Sequence, residues 1–232
     1  MYWPMFDPIY YLFAIPALIL GLYAQYKVGS AYRRFSRVGN SSGIVGCEAA
    51  RRLLAISGLE QVNLQEKLGH LSDHYDPRSK TLALSSGVAR SASVASLGIV
   101  AHEVGHAIQH HQEYLPLKLR SGLVPVVRIG SWLGPIIFLG GMVLPIPNMS
   151  FIGLLFFSAT LVFSLVTLPV EFDASRRAVS MLQGSGMMSD VDERGVQQVL
   201  SAASLTYVAA ATQALSTILY YVFLLGGYRR RD

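Results

Sequence analysis

Charge is scarce in this chain. Only 14% of its 232 residues are Asp, Glu, Lys or Arg, where soluble domains carry roughly 25%. Hydrophobic residues make up 52% and the mean hydropathy is +0.40. That balance excludes a disordered chain and argues against an ordinary soluble protein, because much of the apolar content must face something other than one interior core. Cysteine is almost absent as well. With Cys47 alone there can be no intrachain disulfide and no Cys-rich metal site, so any metal must be held by His, Asp or Glu. No internal repeat or low-complexity tract is present, which removes fibrous folds. A basic segment ahead of the first apolar run is also missing, so that run reads as an uncleaved anchor rather than a signal peptide.

The 19 basic residues, with a net charge of +5, are unevenly placed. Twelve lie between Lys27 and Arg120, three between Glu171 and Tyr207 and three at Arg229 to Arg231, while only Arg128 falls inside an apolar stretch. Basic residues flanking apolar blocks are the pattern of a membrane protein whose basic loops face the cytoplasm. The lipid bilayer is therefore an expected partner. No nucleic-acid-binding motif accompanies the charge, so nucleic acid is not. If every apolar zone crosses, the terminal Arg triplet ends outside, but the twelve outvote the three and keep residues 28–120 on the cytoplasmic side.

Between Asp7 and Lys27 run 19 uncharged residues, enough to span roughly 30 Å of hydrocarbon as a helix. A second apolar zone, Ile129 to Val170, has 42 residues without a charge, too long for one span and right for two. Pro145, Ile146, Pro147 and Asn148 supply the turn between its arms, since proline cannot continue a helix and Asn tolerates turn conformations. The first arm is expected to begin near Gly122 and the second to run from Ser150 to Pro169, with Arg128 snorkelling toward the headgroups or paired inside the protein. A last zone, Tyr207 to Tyr228, is again long enough to cross.

Residues 28–120 have a polar texture. Ser41 or Ser42 can cap a helix reaching Ser57, with Val45, Ala49, Leu53 and Ile56 on one face and Gly58 as its stop. From Val62 to Ser85 the pattern changes to short strands, with Asp76 to Lys80 as a turn and Thr81 to Ser85 extended. Ser91 or Ser93 then opens a helix that reaches His111.

Inside that helix lies His102, Glu103, Val104, Gly105, His106, the pattern HExxH. Histidines four apart are rotated by only about 40° on a helix, so both imidazoles can reach one metal ion while the Glu projects from the adjoining turn. The pattern suits zinc hydrolysis, in which the metal acidifies water and a carboxylate takes its proton. Independent placement of six His and seven Glu in 232 positions yields about 0.005 such matches, so two unrelated surface histidines are a poor account of it.

A catalytic zinc site needs a third protein ligand and an open position. The metzincin arrangement would place Gly at 109 and His at 112, but both positions hold Gln. His110 lies one turn along the same helix yet a further 40° around, an awkward angle for three ligands on one rigid helix. Glu171 is the better candidate. It is the first ionisable residue after the 42 uncharged ones, and a two-span hairpin returns it to the face from which the chain left. After Pro169 it can also serve as a carboxylate at a helix N-terminus. Ser175, one turn on, can hydrogen-bond Glu171 or a ligand histidine. Asp173 points elsewhere and can pair with Arg177 at i+4, and His70 and His74 suit surface or strand-packing roles better than ligation.

HEVGH, a membrane hairpin and then EFDAS together resemble the membrane-bound neutral zinc metallopeptidases of the YugP type, and more distantly the HtpX and CAAX-processing gluzincin proteases. The resemblance covers essentially the whole chain, including the LSDHYDPRSKTLALS stretch from Leu71 to Ser85. It implies Zn2+ held by His102, His106 and Glu171, with Glu103 as general base. The distant gluzincins often read ExxxD at the third ligand, whereas Ser175 stands at the last position here. By analogy with zinc peptidases, the extended edge from Leu82 to Ser85 could bind a peptide by strand addition, or be an ordinary core strand.

The fold expected is a mainly α membrane protein. About four transmembrane helices accompany a small α+β zincin-like catalytic part built from residues 28–120 and 171–206, with an anchor at 1–27, a transmembrane hairpin at 121–170 and a last membrane helix with a basic tail at 207–232. The function expected is a membrane-anchored zinc endopeptidase acting on peptide or protein substrates near the cytoplasmic face, with Arg176, Arg177 and Tyr207 as candidates for stabilising the oxyanion. Two alternatives remain at this level. A site-2-type intramembrane protease would need an Asp ligand in a later span, and none exists; a non-hydrolytic metal-binding scaffold would have no need of Glu103. Nothing in the sequence speaks to oligomeric state.

Overall fold

The computed structural model describes residues 8–69, 72–144 and 146–228. His70, the Pro145 residue of the expected turn and the Arg229 to Arg231 tail lie outside the described residues. In chain order the elements are α1 (Pro8–Phe35), α2 (Gly46–Ile56), β1 (Asn63–Lys67), β2 (His74–Asp76), β3 (Thr81–Ser85), α3 (Ser86–Ala89), α4 (Val94–His111), α5 (Leu115–Val143), α6 (Met149–Gly184) and α7 (Asp190–Tyr228). The protein is mainly α with a small α+β part. Among the described residues four helices are long and apolar enough to cross a membrane: Pro8–Phe35, Leu115–Val143, Met149–Gly184 and Asp190–Gly226.

The chain divides into two compact units. The first takes Met1–Ala24, Lys118–Leu168 and Thr206–Asp232. Within it α5 and α6 approach closely where glycine removes the side chain: a Cβ on Gly153 would fall 2.3 Å from the backbone nitrogen of Phe138, and one on Gly130 would fall 2.4 Å from the carbonyl oxygen of Phe156. Without a hydrophobic driving force between helices in lipid, such small-residue contacts are how membrane helices gain packing energy. Asn148, at φ +61°, makes the turn before α6 as its tolerance for that region allows.

The second unit takes Gln25–Leu117 and Pro169–Leu205. Its sheet has the order β1-β3-β2, with β1 parallel and β2 antiparallel to the central β3. All five residues of β3 are buried. Leu53 of α2, Leu82 and Leu84 of β3, Leu97, Val100 and Val104 of α4, and Leu182 and Val196 share one core.

Several expectations are corrected. β3 has a partner on both sides, so the stretch from Leu82 to Ser85 has no free edge for strand addition; it is a core strand, and the edges belong to β1 and β2. Neither Ser41 nor Ser42 caps α2, which starts at Gly46 after Val45, because the Ser41 N–H and hydroxyl are both given to Asp192. Ile56 is 68% exposed; the buried face of α2 runs instead through Ala49, Ala50, Leu53 and Leu54. Gly58, at φ +67°, does end the helix region. α5 begins at Leu115 rather than near Gly122, and α7 joins the polar stretch from Asp190 to the last apolar zone as one helix. α6 does not stop at Pro169 but runs on to Gly184: proline removes one N–H and crowds one carbonyl, and membrane helices tolerate this. Glu171 is therefore inside a helix, not at its N-terminus.

Candidate metal centre

α4 carries the histidine motif, and its start is set by Ser93, whose extended backbone (φ −105°, ψ 160°) lets its hydroxyl accept from the Ser96 N–H. Most of the helix is buried against α2, α3 and the sheet. His102 and His106 stand one turn apart with ring centroids 4.8 Å apart and planes at 83°. Between them Gly105 admits α6: a Cβ there would lie 2.8 Å from the carbonyl oxygen of Ala174.

That close approach brings Glu171 across. It is 1% exposed, and its Oε2 lies 3.2 Å from His102 Nε2 and 3.5 Å from His106 Nε2. One ligand atom from each of His102, His106 and Glu171 fits within a 4.8 Å span, the one such group among the described residues. Ser175 is one turn further along α6, with its hydroxyl 3.2 Å from His102 Nδ1. His110 is not in the group; its Nδ1 meets the Tyr75 hydroxyl at 2.9 Å.

Glu103, 9% exposed, accepts the backbone N–H of Tyr75 on Oε2 at 2.9 Å. β2 is thus tied to α4 twice through one residue, by its N–H to Glu103 and by its hydroxyl to His110. Burial raises the Tyr75 phenol above its ordinary pKa, and the neighbouring Asp76 charge adds to the shift. His74 is exposed and its Nδ1 sits on the carbonyl of Ser72, a surface role.

Asp173 pairs with Arg177 Nε at 2.5 Å as its spacing suggests, but its Oδ2 also accepts Gln109 Nε2 at 2.8 Å. Arg177 is committed further, with Nη1 on Gln112 Oε1 at 2.7 Å and the guanidinium over the Tyr114 ring. That leaves it poorly suited to an oxyanion. Arg176 has a side chain 78% exposed. Sequence reasoning missed Tyr75 and Gln109. The first had no signal, since its contribution is a backbone N–H; the second had one, a glutamine on the ligand helix three residues after His106.

The donors suit zinc. Two imidazoles and one carboxylate on separate helices are the three-protein-ligand set that leaves a fourth, open position. The local field points the same way. Burial disfavours the imidazolium form of His106, yet the hydrogen bond and charge of Glu171, the charge of Glu103 and the Gln109 contact raise its pKa above the ordinary value. A site whose carboxylates draw positive charge onto a buried imidazole is one prepared for a cation.

Comparison with known proteins also points to zinc. The family described as "Putative neutral zinc metallopeptidase" matches residues 10–226. The protein described as "Putative membrane protease YugP" from Bacillus subtilis (strain 168) is 44% identical over 216 residues, covering 93% of this chain and 96% of that one. No solved structure matches the chain significantly.

Proposed function

The chain belongs to the neutral zinc metallopeptidase family, and from that premise we propose that it is a multi-pass membrane zinc endopeptidase working at the cytoplasmic face. The observation that carries the reading is the convergence of His102, His106 and Glu171 within 4.8 Å, with Glu103 of the same motif held beside them by the Tyr75 N–H. The cytoplasmic placement is supported by the twelve Lys and Arg residues between Lys27 and Arg120.

His102, His106 and Glu171 would hold the metal. Zinc bound there supplies a Lewis acid that polarises the scissile carbonyl and acidifies water to a pKa near 7. Glu103 takes the water proton as the new C–O bond forms, then delivers it to the leaving nitrogen as the C–N bond breaks. The Tyr75 N–H keeps one Glu103 oxygen in place, so the other is presented for that transfer. Ser175 orients the His102 ring from behind. The substrate is a peptide or protein.

The test is zinc analysis and cleavage of an unfolded protein such as casein by the purified full chain, parent against Glu103→Gln. The parent should hold about one zinc per chain and lose cleavage to a chelator. Glu103→Gln should keep the zinc and lose cleavage by about 100-fold or more. Undiminished cleavage by that variant would eliminate the mechanism.

A further inference from the structure

Gln109 lies on the ligand helix and is 0% exposed, so each polar atom of its amide must find a partner or cost the full penalty of desolvation. Its nitrogen donates to the Val170 carbonyl and to Asp173 Oδ2, both at 2.8 Å. A backbone carbonyl and a carboxylate paired with Arg177 can only accept. The amide nitrogen must face them, and Oε1 must then face His106 Nδ1, 2.9 Å away. That assignment is forced by the partners and does not depend on telling oxygen from nitrogen by position.

Oε1 has no proton to give, so Nδ1 of His106 carries it, and the neutral ring keeps its lone pair on Nε2, the atom that faces Glu171. The second consequence lies on α6. Val170 immediately precedes Glu171, so the amide that orients one ligand also grips the backbone next to another. Ser175, by contrast, has a hydroxyl that either donates or accepts, and its contact with His102 imposes no tautomer. We propose that Gln109 is the positioning residue of the metal centre: its amide selects the tautomer of His106 and registers the Glu171 segment of α6 against α4, and Asp173 with Arg177 holds that amide in turn.

This rests on the zinc reading above, and the experiment separates the two. Zinc affinity of the full chain in lipid nanodiscs is measured by competition with a chromophoric chelator, which needs no turnover. Gln109→Leu keeps the bulk and removes the hydrogen bonds; its zinc binding should weaken by about 10- to 100-fold. Gln109→Glu combined with Asp173→Asn exchanges amide and carboxylate, so a carboxylate oxygen accepts from His106 Nδ1 and an amide N–H steadies that carboxylate, while the Val170 carbonyl loses its donor; the variant restores the tautomer role alone. This double variant should bind zinc at least about tenfold more tightly than Gln109→Leu. A Gln109→Leu protein that binds zinc as tightly as the parent overturns the proposal, as does an exchange variant no tighter than Gln109→Leu, which would make Gln109 mere filler. If Gln109→Leu does not fold, Gln109→Met takes its place, with the same expected weakening and the same overturning results. A parent that binds no zinc overturns the zinc reading and this inference with it, whereas a zinc-binding parent with indifferent variants overturns only this one.

Discussion

Replacing Gly105 by Ala puts one methyl group where α4, which carries His102 and His106, comes close to α6, which carries Glu171. The new Cβ would lie 2.8 Å from the carbonyl oxygen of Ala174, 3.3 Å from its Cα and 3.4 Å from its carbonyl carbon. All three are main-chain atoms, so no side-chain rotation relieves the contact. Comfortable separations between non-bonded carbons are about 3.5–4.0 Å, so α6 must retreat by roughly half an ångström. Two energies oppose each other. Alanine gains about 0.5–1 kcal/mol over glycine in a helix interior, and overpacking costs about 1–3 kcal/mol. The net loss of stability is at most about 2.5 kcal/mol. The metal centre should feel more than that, because Ala174 lies between Glu171 and Ser175 on the displaced helix and metal–ligand distances tolerate only about 0.2 Å. Zinc affinity is expected to fall by about tenfold or more. The assay is chelator competition on the full chain, with thermal unfolding of the metal-free protein followed by circular dichroism. Gly98→Ala on the same helix is the comparison: its Cβ would first meet the Val196 methyl carbons, at 3.3 and 3.6 Å, so it should keep its zinc. A Gly105→Ala protein that binds zinc as tightly as the parent would refute the idea that this approach sets the metal geometry.

Glu171→Ala should lower zinc affinity and cleavage together, while His110→Ala should leave zinc near one per chain, because His110 is engaged with Tyr75; the reverse result, by metal analysis, would reassign the third ligand. Ser175→Ala should cost about 10- to 100-fold in zinc affinity or activity through the freed His102 ring, and a variant identical to the parent in both would remove Ser175 from the centre. Cys47, the one thiol in the chain and partly buried, reports topology: after mild denaturation of intact cells a permeant thiol reagent should label it and an impermeant one should not. Labelling by the impermeant reagent would place the second unit outside.

What the sequence determined by itself was whatever depends on local periodicity. HExxH at helical spacing, a cap at Ser91 or Ser93, the apolar runs and the turn ending at Asn148 are all properties of consecutive residues, so they were legible before folding. Glu171 was legible as a candidate for a different reason: it is the first ionisable residue after 42 uncharged ones, and a two-span hairpin returns it to the face from which the chain left. The spacing of Ser175 also followed, since both residues share one helix face. Tertiary structure decided the rest. The continuity of α6 through Pro169, the burial of β3 between two partners and the diversion of Ser41 to Asp192 depend on which faces meet, and a strand's neighbours leave little mark on its own five residues. The polar contacts that tie the centre together join residues far apart in the chain, Tyr75 to Glu103 and Gln109 to Val170 and Asp173. In sequence Gln109 read as an ordinary glutamine and Asp173 as a partner for Arg177 at i+4. Only when Gly105 lets α6 close on α4 do the two meet, with His106 and the Val170 carbonyl as the other partners of Gln109 and Arg177 as that of Asp173.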